Sequence, residues 1–296
     1  MHQNTGNTIA GIMRHSMALL QRNDPLRMAG ATAFFTIFAL PATLVILIQV
    51  LGLVFKKERI STELLTTLSK IIGNRSTERV HEMLAGFSNT SDNWLITIGG
   101  FLFLLFVATN LFVIIKGSVN QLWHIRIKTP RRFLSTIKNR MRSILVIIFS
   151  GIFFLVGLLA EGLQVYLGSS IKDIVPTLIP FFNWVFNVFI SLIVVSGWFI
   201  ILFRYLPDGR PTWKISMIGG LVTSVLFNFG KWILHFILFN SSLDSVFGAS
   251  ASIILLLLFV FYSALIFYYG AAFTKTLSDH LQEPIEPLSV AINESD

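Results

Sequence analysis

Six apolar runs dominate this sequence, at residues 30–54, 94–115, 144–168, 178–203, 215–239 and 246–273. A helix rises 1.5 Å per residue, so each run is long enough to cross a hydrocarbon core of about 30 Å. Only two charged side chains, Glu161 and Lys231, stand inside them. Backbone polar groups in lipid must be satisfied within the segment that carries them, and a helix does this. The pattern therefore predicts an all-α polytopic membrane protein, a bundle of six transmembrane helices. Charged residues make up 13% of the chain, about half of what a soluble domain uses to cover its surface. The 28 phenylalanines suit a surface that faces acyl chains. With no cysteine, disulfides, thiolate zinc sites, cysteine nucleophiles and iron–sulfur clusters are excluded.

The first run reads as a retained helix rather than a cleaved leader. It follows a polar stretch of 29 residues, exceeds the length of a leader's apolar core, lacks an A-x-A cleavage site at its far end before Lys56, and carries Pro41, which predicts a kink.

Lysine and arginine distribute unevenly between the runs. The N-terminal segment, the 116–143 loop, the 204–214 loop and the tail hold 15 of them, against 7 in the alternate segments. Eight lie in the 116–143 loop (Lys116, Arg126, Lys128, Arg131, Arg132, Lys138, Arg140 and Arg142), with no acid among them. Basic residues remain on the cytoplasmic side. Both termini are therefore expected in the cytoplasm of a multi-pass protein. The basic 116–143 loop is expected to meet anionic lipid headgroups rather than nucleic acid.

This divides the chain into a cytoplasmic segment 1–29, a six-span domain 30–275 with an external loop 55–93, and an acidic tail 276–296 containing Pro284 and Pro287. The tail is expected to be disordered. In the loop, Leu64, Leu65, Leu68, Ile71 and Ile72 recur at helical spacing over 61–72, and Val80, Met83, Leu84 and Phe87 over 76–87. These predict either a helical hairpin capping the bundle or an interfacial, partner-docking surface.

Several stretches resemble the YihY/BrkB family of bacterial inner-membrane proteins. Asp24-Pro25-Leu26-Arg27-Met28-Ala29-Gly30-Ala31-Thr32-Ala33-Phe34-Phe35-Thr36, followed by Pro41, is similar to the family's entry into its first span. Asn120-Gln121-Leu122-Trp123 resembles its N-x-x-W. Phe203-Arg204-Tyr205-Leu206-Pro207-Asp208-Gly209-Arg210-Pro211-Thr212-Trp213 resembles its Y-x-x-x-P segment before span five. Gly219-Gly220, Gly230-Lys231, Phe247-Gly248-Ala249-Ser250 and Gly270-Ala271 follow in the family's order. Where many members carry Tyr-Gly-Ser and a late acid, this chain has Phe247-Gly248-Ala249 and Ala272. The resemblance implies a membrane-embedded protein linked to envelope lipid biology and virulence, in a family some of whose members carry the label ribonuclease BN.

The residues argue against that label. A metal-dependent nuclease needs several His, Asp or Glu converging on metal ions. Among the six histidines, the pair His81-Glu82 sets an acid beside the imidazole, but adjacent helical residues diverge by about 100°. No phosphate-binding G-x-x-x-x-G-K-[ST] loop is present, and Gly230-Lys231 lies in an apolar run. The expectation is a non-enzyme with no metal and no cofactor.

The intramembrane polar residues are the candidate site. Glu161 and Lys231 fall at similar depth, about 10 and 12 Å from the outer ends of their runs at 1.5 Å per residue. Gln164 is three residues from Glu161, His235 four from Lys231, and Asn183 and Asn187 are four apart, so three polar stripes share one depth with Gln49. Asn228 extends the Lys231 stripe inward. The set predicts either a hydrated cavity with a Glu161–Lys231 interaction at its wall or a structural network between helices. Three functions follow: transport or handling of a lipid or other amphiphilic envelope component, a scaffold docking partners through loop 55–93, or a proton-coupled ion or small-solute transporter using Glu161, Lys231 and His235. Membrane lipids are the expected partners. Gly219-Gly220 and other small residues permit close packing, within one bundle or in a homodimer.

Overall fold

In the computed structural model, the described residues are 5–52, 56–72, 94–127, 179–239, 251–288 and 291–293, with isolated helical positions between 74 and 84 and between 148 and 160. Seven long helices occupy them: α1 (Thr5–Gln21), α2 (Pro25–Leu51), α3 (Lys57–Ile72), α4 (Trp94–Leu122), α5 (Ile179–Tyr205), α6 (Trp213–Phe239) and α7 (Ala251–His280). Four short strands, β1 (Ile125–Ile127), β2 (Gly209–Arg210), β3 (Glu286–Pro287) and β4 (Ala291–Asn293), sit at helix ends.

Three of the described helices are long and apolar enough to cross a membrane: Pro25–Gln49, Val185–Tyr205 and Ile253–His280. Only 17% of the Val185–Tyr205 window is buried, so most of that helix presents apolar side chains outward. Val185, Val188, Phe189 and Ile193 are exposed on it, as are Phe34 and Phe38 on α2 and Leu102, Phe103 and Phe106 on α4. Exposed apolar area on this scale is the mark of a lipid-facing surface.

The helices run longer than the apolar runs. α2 starts at Pro25, whose missing N–H and fixed φ suit the first helical position. Asp24 before it adopts φ 51°, a left-handed conformation that Asp tolerates, and closes the corner from α1. α2 continues through Pro41 to Leu51, and α4 continues past residue 115 to Leu122. Within the N-terminal segment 1–29, Thr5–Gln21 form α1, which packs on α7 through Ile12, Phe273 and Leu277.

The tail is folded where it is described, against expectation. α7 reaches His280; β3 then pairs antiparallel with β2 (Gly209↔Pro287, Arg210↔Glu286), and β4 pairs antiparallel with β1 (Ile125↔Asn293, Ile127↔Ala291). Composition suggested disorder, but backbone pairing and the burial of Ile285 and Ala291 hold these residues.

In loop 55–93, the helix begins at Lys57, earlier than residue 61, and folds back along α2. Lys57 Nζ donates to Gln49 Oε1 at 2.9 Å across the turn. Ile60 and Leu64 are buried in the main core, as is Val80 further along the loop. The described part of the loop is thus built into the bundle.

α6 and α7 meet through small residues. A methyl group at Gly219 would overlap Thr274 Oγ1, one at Gly270 would overlap Thr223 Oγ1, and one at Gly230 would overlap the Tyr262 hydroxyl. The pairs 219/274, 223/270 and 230/262 trace one antiparallel seam. Association of helices in lipid relies on such close van der Waals approach, because burial of apolar surface gains little there. Gly270→Ala should lower stability by about 1–3 kcal/mol, an overpacking cost, because Thr223 is short and cannot swing away. Gly117→Ala, with open space around it, should be neutral or slightly stabilising. Thermal unfolding in detergent micelles measures both.

Candidate functional site

The last two turns of α4 carry Lys116 and Asn120, and Trp123 follows directly after the helix; the i, i+4, i+7 spacing sets all three on one side. That face meets the α5–α6 turn, Leu206-Pro207-Asp208-Gly209, which is buried throughout. Lys116 Nζ lies 2.8 Å from Asp208 Oδ1, with the two side chains 8% and 2% exposed. Asn120 doubles the contact: its Nδ2 donates to Asp208 Oδ2 at 2.9 Å, and its Oδ1 accepts from the Asp208 backbone N–H at 2.9 Å. The Leu288 N–H of the tail donates to the Asp208 carbonyl at 2.8 Å. Trp123 Nε1 donates to the Ala271 carbonyl of α7 at 2.9 Å. A methyl group at Gly209 would strike Ile125 and Ile285, so glycine is what lets the turn lie this close to β1 and the tail. The result is a dry plug joining α4, the α5–α6 turn, α7 and the tail.

Next to the plug, Phe203 stacks on Phe267 at 5.2 Å and on Phe199 at 6.3 Å. Tyr268 and Thr32 share a hydrogen bond of 2.6 Å, and Ser118 also bonds the Tyr268 hydroxyl. Beyond these rings a cavity of about 520 Å³ opens between α2, α3, α4, α5, α6 and α7. Its wall is apolar: Ile115, Phe153, Val195, Trp198, Phe199, Phe227 and Phe267 contribute most of it. Thr32, Thr36, Thr67 and Ser263 supply its hydroxyls. Three of these are turned to their own helices: Thr32 donates to Met28 O, Thr36 to Thr32 O and Ser263 to Phe259 O. Thr67 places α3 at the wall.

Of the polar residues singled out in the sequence, the described ones do not line this cavity. Gln49 is exposed and holds Lys57. Asn187 is exposed and Asn183 half-buried on α5. Asn228 joins helices: its Oδ1 accepts from Ser191 Oγ of α5 at 2.8 Å, and its Nδ2 donates to Ser224 O. Lys231 is half-buried on α6, beside the Gly230–Tyr262 contact. Glu161, Gln164, Gly248 and the side chain of His235 lie outside the described residues, so the Glu161–Lys231 interaction does too. Among the described residues, no group of three His, Cys, Asp or Glu could hold a metal ion.

The residues quoted for the family resemblance fare differently. Asp24 forms the α1–α2 corner, Pro41 is buried in α2, and Asn120, Trp123 and Pro207 meet in the plug. Gly230 and Gly270 lie on the α6–α7 seam. Tyr205 is exposed and packs edge-on against Trp213, over whose ring the Arg204 guanidinium sits at 4.9 Å. Amphipathic aromatics of this kind favour a membrane interface.

The family model described as virulence factor BrkB matches residues 17–292. The chain belongs to the virulence factor BrkB family. Its relatives include a UPF0761 membrane protein of Psychromonas ingrahamii, 25% identical over 86% of this chain and 83% of that one. Another is a UPF0761 membrane protein of Idiomarina loihiensis, 24% identical over 79% of this chain and 77% of the relative. No solved structure matches the chain. This BrkB-family chain is thus a membrane protein whose matched region takes in both the plug and the described cavity wall.

Two residues of the plug escaped the sequence reading. Lys116 counted as a loop cation, and Asp208 was only part of a quoted motif. The available signal was the helical pattern Ile115, Val119, Leu122, which carries α4 beyond its apolar run. Asp208→Asn should strand the Lys116 cation in a dry site and cost about 3–5 kcal/mol, whereas the double change Lys116→Met with Asp208→Leu should recover most of it. Thermal unfolding of the three variants decides this.

The tail carries a pH dependence. The hydrogen bond from Thr212 Oγ1, with help from Lys214, holds the Glu283 carboxyl below its ordinary 4.5. A depressed folded value means the contact is fully present above 4.5 and is lost as the pH falls through that folded value. Amide hydrogen exchange at 283–288 should quicken in that acid range.

Proposed function

We propose that this protein is a six-span protein of the bacterial inner membrane, with both termini in the cytoplasm, that binds and passes on an amphiphile, a lipid or another cell-envelope component, through its central cavity. The observation that carries the reading is the cavity itself. Its volume falls in the range of about 300–1,000 Å³ usual for small-molecule sites. Its wall offers rings and aliphatic chains, while three of its hydroxyls are engaged by the protein. Such a lining fits an acyl chain. Among the described residues it offers no counter-charge to an ion and few hydrogen bonds to a polar solute, which weighs against proton-coupled solute transport.

The energetics favour passage over storage. Lipid tails are as apolar as this wall, so a chain moving from bilayer to cavity gains little and loses little. Selectivity then rests on the headgroup, for which Glu161 and Lys231 are the candidate contacts. The built-in position of α3 favours a cavity role for loop 55–93 over partner docking. Anionic headgroups along the basic 116–143 loop complete the expected lipid partners.

Native mass spectrometry of the protein released from its own membrane tests the reading. Wild type should retain a lipid. Ser263→Phe and Ala264→Phe, which fill the cavity, should lose it while keeping their fold by circular dichroism. Loss in Glu161→Ala or Lys231→Ala as well would place the headgroup beside those residues. Retention unchanged in both phenylalanine variants would rule the cavity out as the lipid site.

A further inference from the structure

α1 has a wider apolar arc than the bundle covers. One part of the arc, Ile12, Ser16 and Leu20, is buried. Ile12 packs with Ile215 of α6 and with Phe273 and Leu277 of α7. The adjoining part, Ile9, Met13 and Met17, recurs every four residues and is exposed at 53%, 39% and 48%. Leu26, just past the corner, is 67% exposed. On a helix turning 100° per residue, Arg14, Ala18, Gln21 and Arg22 fall on the other side, and all four are exposed.

The depth of α1 is set by its neighbours. It ends where α2, a membrane-crossing helix, begins at Pro25. Gln121 at the end of α4 bonds both Asn23 and Arg27, tying that corner to the end of another helix. The Tyr269 hydroxyl of α7 donates to Met13 O at 3.3 Å. α1 therefore packs against the start of α6 and the last turns of α7, next to the point at which α2 begins.

Charge selects the surface. Up to Asp24 the chain carries Arg14 and Arg22 and no acid, and Asp24 is itself paired with Arg27 at 3.8 Å. An amphipathic helix with a basic polar face and an apolar stripe beside it lies in the headgroup–acyl boundary of an anionic membrane. We propose that α1 is such a helix. Ile9, Met13, Met17 and Leu26 dip into the acyl region of the leaflet from which α2 enters, and Arg14 and Arg22 meet anionic phosphates. The N-terminal segment is then a membrane-surface element fixed to the bundle, and it places anionic lipid beside the ends of α6 and α7.

The absence of cysteine makes the test direct. Single cysteines at Ile9, Met13, Met17, Arg14 and Ala18 in the full chain are spin-labelled in vesicles of phosphatidylglycerol and phosphatidylethanolamine. Oxygen probes the bilayer, and a water-soluble nickel chelate probes solvent. The expected result is an oxygen-to-nickel accessibility ratio several-fold higher at 9, 13 and 17 than at 14 and 18. Arg14→Gln with Arg22→Gln should reduce that ratio at the Met17 label. A label at Met13 and Met17 as open to nickel as that at Arg14 would overturn the proposal in favour of a solvated helix. Shielding of those labels from both reagents would overturn it in favour of a protein partner. Thermal unfolding of each labelled variant identifies any that misfold, and the two remaining apolar positions still decide.

Discussion

A lysine and an aspartate removed from water together are stable only if geometry and further hydrogen bonds replace the lost solvation. The Lys116–Asp208 pair meets that condition through Asn120, which bonds both the carboxylate and the backbone of Asp208. Three stretches far apart in the chain therefore have to arrive at one point: the end of α4, the α5–α6 turn and the tail, whose Leu288 N–H takes the Asp208 carbonyl. The lengths of α4 and α5, the tight turn at Gly209 and the pairing of β2 with β3 all follow from holding that point together.

The rest of the bundle works under a different constraint. Lipid offers helices no hydrophobic reason to associate, so contact must come from shape. The α6–α7 seam achieves this with Gly219, Gly230 and Gly270 set against Thr274, Tyr262 and Thr223. Where large rings converge instead, around Phe199, Phe227 and Phe267, the helices stand apart and the cavity remains. Plug and cavity are consecutive: Ile115 lines the one and Lys116 anchors the other. The stacked rings of Phe203 and Phe267 lie between a dry, charge-paired end and an apolar interior.

The candidate site was legible only in part. Asn120, Trp123 and Pro207 could be picked out as motif residues, but Asp208 could not be placed against the Lys116–Asn120 face, since it lies 88 positions from Asn120. Polarity was a misleading guide to the cavity. Asn228 and Gln49 serve helix–helix and turn contacts, while the cavity wall is made of residues that look like ordinary lipid-facing or core positions. Thr32, Thr36 and Ser263 gave no sign of their place, because a hydroxyl bonded to its own helix reads as neutral in a span.

By itself the sequence determined that this is a helical membrane protein, because long uncharged runs leave the backbone no other way to satisfy its polar groups in lipid. It also determined the family, through short motifs spread over nearly the whole chain. Tertiary structure alone decided that the tail folds, that α3 turns back into the bundle and that an apolar cavity lies beside a buried ion pair. Each of these depends on contacts between residues distant in sequence, and local periodicity holds no information about which distant faces will meet.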